Sequence, residues 1–461
     1  MEDTARNLVP GMNTTVLVLA STLFLGGVLL LIVYIVSRLS RSDKSANSTK
    51  NAESEKLKSE DSTIASAGTG SSAGGAGSNK RAKNKKRREA QQEFTHSWMV
   101  GALKGHTAPV LDMNFSSNGK YLASCAEDRT VLIWYTKDLA VKEKKSLRVN
   151  IEFDHATLVR WSPDGKAFII HKAVANAMEV YKISKKSDGT LASATKALEF
   201  PSKHTEDVIA MDIASTGKYI ITCTKINHLI VWDLKGQVLA TIEMHLGTTY
   251  QACISPCGRF VGTSGFTPDV NVWEVAFAKT GEFKQVVKAF DLAGHSSGIY
   301  DFAFSSDTSH MATVSKDKTF RLYHTKIEFE KGEDPHVLLT GAWDGTTPAS
   351  VALSPNAEVL VIAHGSSLSF YSMITGSLDN TIEDIFSGPI TRLAFDAAGE
   401  YILAAGDKHI KIFRNITGYR VAIQSAKQKL TQKLTSATKE RLEKLIVDNM
   451  NFLQTMGEKC P

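Results

Sequence analysis

VLDMNFSSNGKYLASCAEDRTVLIWY, residues 110–135, holds three short apolar runs separated by two turns. Apolar side chains tend to alternate inside each run, which is strand spacing, and Asn118-Gly119 and Asp128-Arg129 supply the turns. The phrase recurs along the chain, closing in turn on Trp134, Tyr181, Trp232, Trp273, Tyr323, Tyr371 and Phe413. These aromatics lie 41 to 51 residues apart, which fits the about 40 to 45 residues of a four-stranded propeller blade plus loop insertions. An all-β, seven-bladed propeller over residues 94–420 is expected. The run before Gly105, around Ser97 to Leu103, is expected to be the outer strand of the last blade, closing the ring and removing its free edges. A closed ring of sheets is above all a binding platform.

The chain has 461 residues, 43% of them hydrophobic, enough for a sizeable core and for more than one segment. Its net charge of +6 is local: Lys80, Arg81, Lys83, Lys85, Lys86, Arg87 and Arg88 carry more than the whole excess, leaving the propeller near neutral. Cys125, Cys223, Cys253, Cys257 and Cys460 are few and odd in number, which argues against a disulfide framework and fits a reducing compartment. Cys253 and Cys257 lack a second Cys/His pair nearby and are read as ordinary thiols, so no metal site is expected. Gly294-His295-Ser296-Ser297-Gly298 matches the nucleophile-elbow pattern G-x-S-x-G, but it falls between antiparallel strands, whereas an elbow needs a strand before and a helix after. With no H-E-x-x-H, phosphate loop or kinase motif either, no catalytic residue and no cofactor are expected.

Ahead of the propeller, after a short segment 1–13, Thr14 to Val36 is uncharged over 23 residues, about 34 Å as a helix against a hydrocarbon core of about 30 Å. The acidic start at Glu2 and Asp3 and the bulky Tyr34, Ile35 and Val36 argue for an uncleaved anchor over a signal peptide. Arg38, Arg41 and Lys44 follow the span at once, so the positive-inside rule puts the short N-terminus in the lumen and the propeller in the cytosol. Glycosylation triplets at Asn47-Ser48-Thr49, Asn114-Phe115-Ser116 and Asn415-Ile416-Thr417 then serve as tests of topology.

Residues 37–93 are rich in Ser, Ala, Gly, Asn, Lys and Glu with few bulky apolar side chains, the composition of a disordered linker. Its cluster at 80–88 suits RNA, an anionic bilayer, an acidic protein surface or plain solvation, and composition does not choose among them. In the C-terminal segment 421–461, residues 421–456 read as helix. Ile423, Ala426, Leu430, Leu434, Leu442, Leu445, Ile446, Met450 and Leu453 form an apolar stripe suited to packing on the propeller or to pairing with a partner helix.

The blades resemble the WD40 repeat family, in which a Gly-His, a Ser or Thr, an Asp and a Trp form a buried hydrogen-bonded tetrad. In the first blade these positions are His106, Ser124, Asp128 and Trp134; in the fifth they are His295, Thr313 and Asp317, with Tyr323 replacing Trp. Elsewhere the pattern is worn: His204 precedes Trp232-Asp233 but has Ile226-Asn227 at the turn, and His155 and His245 lack their Gly. The sixth and seventh blades lack the His, so the tetrad is expected in the first and fifth alone.

Loop-containing strings such as DHATLVRWSPDG, LKGQVLATI and SPCGRFVGTSGFTPDVNVWEV resemble more narrowly the transducin beta-like proteins, a membrane-anchored group within that family. That resemblance implies a non-enzymatic adaptor of the endoplasmic reticulum membrane acting in the unfolded-protein response. Its implied partners are the stress-activated kinase that controls translation initiation, translation factors and ribosomal particles. Two alternatives stand beside it: a membrane-bound nucleotide exchange factor for a small GTPase in vesicle formation, and an RNA-tethering protein working through Lys80 to Arg88.

Overall fold

The computed structural model describes residues 94–459 except 142, 143 and 346. The anchor at 14–36, the charges Arg38, Arg41 and Lys44, the linker and the basic cluster lie outside the described residues. Within them no helix is long and apolar enough to cross a membrane.

The described strands form seven four-stranded antiparallel sheets, the blades of a propeller. In blade 1, Val110–Phe115 is innermost, followed outward by Tyr121–Ala126, Thr130–Tyr135 and Ser146–Asn150. Every residue of Tyr121–Ala126 is buried, because a blade is sandwiched between two others and both faces of its middle strands are core. The outermost strands are largely exposed, as Leu191–Glu199 and His336–Ala342 show.

Closure comes from the N-terminal side of the domain. Met99–Lys104 pairs antiparallel with His409–Arg414 and becomes the outer strand of blade 7. Trp98 anchors it: the indole is buried edge-to-face on Phe370 at 5.1 Å between centroids, and its N–H donates to the Glu458 carboxylate at 2.7 Å. On the inner side, the Val110 N–H donates to the Asp407 carbonyl at 2.7 Å, and the Thr391 hydroxyl donates to the Val110 carbonyl at 2.8 Å.

Aspartates on the innermost strands of blades 1, 3 and 5 staple each of those blades to the one after it. The carboxylate of Asp112 accepts from the Val159 N–H at 3.0 Å, that of Asp212 from Ile254 at 2.9 Å, and that of Asp301 from Val351 at 2.8 Å. Arg160 pairs with Asp112 and lies 3.6 Å from Asp212, while Arg392 approaches the other oxygen of Asp112 at 3.1 Å. Buried acids here are matched by backbone donors and guanidinium groups, as buried charge requires.

The single helix expected over 421–456 is two: α1, Ile416–Leu430, and α2, Ser436–Thr455. The first starts early because the Asn415 side chain caps it, accepting from the Gly418 N–H at 3.0 Å. Thr435 caps the second, so the apolar stripe crosses a turn. The pair packs on blades 6 and 7 through Ile416, Val421, Ile423 and Leu453, with Tyr419 stacked on Phe452 at 4.3 Å. Arg420 of α1 joins Asp379 on the outer strand of blade 6 at 3.0 Å and Glu458, just beyond α2, at 2.8 Å.

Two of the glycosylation triplets are structural. Asn415 is only 4% exposed and Thr417 is fully buried, while the Asn114 side chain accepts from the Trp161 N–H at 3.0 Å. In the folded chain neither reports topology.

Replacing Trp98 by Ala should lower the unfolding free energy by about 3 to 5 kcal/mol, as expected for a large buried aromatic. Urea denaturation of the full chain measures it. A chain beginning at Thr107 should be destabilised relative to one beginning at Gln91.

Candidate functional site

Blade 1 brings its expected four residues together. His106 Nδ1 lies 3.1 Å from Asp128 Oδ2 and His106 Nε2 lies 2.8 Å from Ser124 Oγ; Trp134 Nε1 donates to Ser124 Oγ at 2.9 Å. With the indole N–H occupying one side of the serine oxygen, its hydroxyl donates to Nε2, and the ring proton sits on Nδ1 facing Asp128. Burial lowers the His106 pKa, opposed by Asp128. Burial also pushes Asp128 upward, but bonds from the Thr130 hydroxyl, the Thr107 N–H and His106 hold it below the usual carboxylate value.

In blade 5 three residues assemble, with His295 Nδ1 3.0 Å from Asp317 and Nε2 2.7 Å from Thr313. Tyr323 stays outside the set. Its phenol oxygen, at the far end of the ring, donates to the Ala293 carbonyl at 3.0 Å.

A third set was not expected. In blade 3, His204 Nε2 lies 2.6 Å from the Thr222 hydroxyl, to which Trp232 also donates at 2.7 Å. His and hydroxyl partner are 18 residues apart in all three blades, a spacing legible in the sequence. Ile226 occupies the position of the acid, and the neighbouring Asn227 turns to the next blade, accepting from Leu246 N–H and donating to the Gly247 carbonyl, each at 3.0 Å.

These polar groups are spent on the fold. Gly294–Gly298 links antiparallel strands, its His295 is buried, and the Ser296 N–H donates to Asp317. Cys125 and Cys223 are buried free thiols, and Cys257 is an exposed one. Among the described residues no group of three or more His, Cys, Asp or Glu is placed to hold a metal ion.

The loops leading into each innermost strand and the turns between second and third strands gather at one end of the ring, its upper face. On blades 2 to 4 this face is apolar: Phe153 is 93% exposed, Val174 82%, Phe266 63% and Ile226 48%. Ile209, Tyr250 and Tyr300 continue the surface toward the central channel, with the two tyrosine rings 6.1 Å apart. The matching turns of blades 1, 5 and 7 are polar: Glu127-Asp128-Arg129, Lys316-Asp317-Lys318 and Asp407-Lys408.

The apolar side chains sit on pinned turns. Phe153 has φ +58°, a conformation costing a bulky residue about 1 to 3 kcal/mol that only its surroundings can enforce. Asp154 enforces it by accepting from the Val174 and Ala175 N–H groups at 3.0 Å, while the Ile151 N–H donates to the Arg129 carbonyl at 2.8 Å. Asn176 Nδ2 bridges to the carbonyls of His204 and Glu206 on blade 3 at 3.1 and 3.0 Å. The Thr249 N–H of blade 4 donates to the Lys225 carbonyl at 3.0 Å. A Cβ at Gly298 would lie 3.0 Å from the Phe266 carbonyl oxygen, so glycine there lets blade 5 close against the blade 4 turn. A rigid, exposed aromatic surface of this kind binds at reduced entropic cost.

Seven four-stranded blades, two of them carrying a His–hydroxyl–Trp set, define a WD40-repeat propeller, a class of protein that scaffolds other proteins. The family described as WD domain, G-beta repeat matches residues 97–135, 285–324 and 384–414, which hold the inner strands of blades 1, 5 and 7. The chain is 43% identical over 376 residues to transducin beta-like protein 2 of Homo sapiens, covering 81% of this chain and 84% of that protein. The Mus musculus protein of that name is 42% identical over 375 residues, covering 81% and 85%. The chain belongs to the transducin beta-like protein 2 family. A nuclear distribution protein, PAC1 of Arthroderma otae, is 24% identical over 253 residues, covering 50% of this chain.

The buried histidines give the fold an acid limit. Burial, then the neighbouring His171 and His228, hold His204 down at about 4 against an ordinary 6.5. Below that ordinary value the unfolded chain takes up a proton the folded one refuses, so this contribution is complete above 6.5 and fades as pH falls toward about 4. Asp128 and Asp317, both held low, add a further loss at lower pH. Urea midpoints should fall from neutral pH toward about 4, and His204→Gln should flatten that decline.

Proposed function

We propose that the chain is a non-enzymatic adaptor of the endoplasmic reticulum membrane, held by a single span at Thr14 to Val36 with its propeller in the cytosol. There it gathers a stress-activated translation-control kinase and components of the translation machinery during the unfolded-protein response. Arg38, Arg41 and Lys44 support the orientation. Lys80 to Arg88 supplies a basic stretch on the tether that suits contact with ribosomal RNA.

The observation that carries the adaptor reading is the pinned apolar arc on blades 2 to 4. A side chain such as Phe153 contributes little to the core, and a surface of aromatic anchors on a rigid ring is what protein partners use. Family membership supports the same reading.

Protease treatment of intact microsomes should remove a C-terminal tag and spare an N-terminal one, with any glycan readout taken at Asn47 because Asn114 and Asn415 serve the fold. Affinity purification of the full chain should recover the kinase and translation components, and F153S/V174S/F266S should strip them while leaving membrane association and the urea midpoint unchanged. A protected C-terminal tag, or partner recovery indifferent to the triple substitution, would overturn the proposal.

A further inference from the structure

The apolar arc is bordered by acid. On the same loops Glu152, Glu206 and Asp207 are exposed and Asp269 is half-buried, against exposed Lys203 and Lys225. Lys172 adds no free positive charge, being bound to the buried Glu179 at 3.1 Å. Glu206 and Asp207 lie in the loop held by Asn176, between Val174 and Ile226, so the acids punctuate the arc. Asp269 follows Phe266 in its turn; burial and then the nearby Asp291 push its pKa up, two carboxylates that a cation would relieve. Lys288 reaches Asp291 at 2.8 Å through one oxygen, and the other is buried without a hydrogen-bond partner. By contrast, the turns of blade 5 carry Lys316 and Lys318.

Resting on the adaptor reading, we infer that the upper face of blades 2 to 4 docks a basic amphipathic segment of another protein, one that presents aromatic or aliphatic side chains alternating with Lys or Arg. Phe153, Val174, Ile226 and Phe266 receive the apolar side chains, and Glu152, Glu206, Asp207 and Asp269 receive the cations. Apolar contact supplies the hold; the acids select the sign of the partner and speed its encounter. The chain's own basic cluster is a poor occupant, since NKRAKNKKRR at residues 79–88 has charge without large apolar side chains.

The test uses the full chain in nanodiscs of zwitterionic lipid, with empty discs as reference, and three fluorescent peptides read by anisotropy. One alternates Leu and Trp with Lys; one has Glu in place of Lys; one is the 79–88 sequence. The Lys peptide should bind at least about tenfold tighter than either other peptide, more weakly in high salt. F153S/F266S and, separately, E206K/D207K should each weaken it about tenfold without moving the urea midpoint. Equal binding of the Lys and Glu peptides, equal binding of the 79–88 peptide, or indifference to either substitution pair would overturn the inference. So would a dimer of the full chain abolished by F153S/F266S, which would assign the face to a second copy. If the peptides fail but F153S/V174S/F266S still strips cellular partners, the adaptor reading stands and only the chemistry of the partner is wrong.

Discussion

The antiparallel pairing of Met99–Lys104 with His409–Arg414 is the contact on which the rest of the structure depends. Each blade is stable because its neighbours cover both faces, so a ring with one open edge would expose two blades at once. The ladder is reinforced where it is weakest. Trp98 fills the core beneath blades 6 and 7, and its indole N–H meets Glu458 just beyond α2, so the C-terminal segment clasps the strand that locks the ring. The helices are therefore part of the closure.

Inside the ring, polar chemistry is spent on joining parts. The His–hydroxyl–Trp sets of blades 1 and 3, and the His–hydroxyl–Asp set of blade 5, cross-link strands within a blade. Asp112, Asp212 and Asp301 cross-link one blade to the next. Each acid accepts from a backbone N–H on the neighbouring innermost strand, which holds the two blades against each other. Burying these groups is tolerable because each has a partner, and it makes their pairing all-or-none.

Where blades depart from the repeat, their upper turns expose apolar side chains. Blades 1 and 5 keep Asp in the upper turn and present charged residues around it. Blades 2 to 4 carry Val174, Ile226 and Phe266 in that turn instead, and Asn227 or Asp154 holds the turn by another hydrogen bond. Exposed apolar side chains thus appear in the turns that have lost the Asp paired with the blade's histidine.

The seven blades and the closing strand were legible in the sequence because strand alternation, Gly and Asp turns and the terminal aromatics are local signals that recur every 41 to 51 residues. Local spacing likewise carried the residues of blade 1, and the 18-residue interval that places Thr222 with His204 was present but hidden by the missing Asp. The break between α1 and α2 was written in Thr435-Ser436, yet an apolar stripe on both sides masked it. Tertiary structure alone decided that Tyr323 leaves its set, since the length of a phenol matters only against the carbonyl it reaches. It alone decided the exposed apolar face as well. Phe153 and Phe266 are more than a hundred residues apart and unremarkable in sequence, and they share a surface only because ring closure stacks their loops at one end. Period and turn chemistry are properties of neighbours along the chain, whereas a face is a property of neighbours in space.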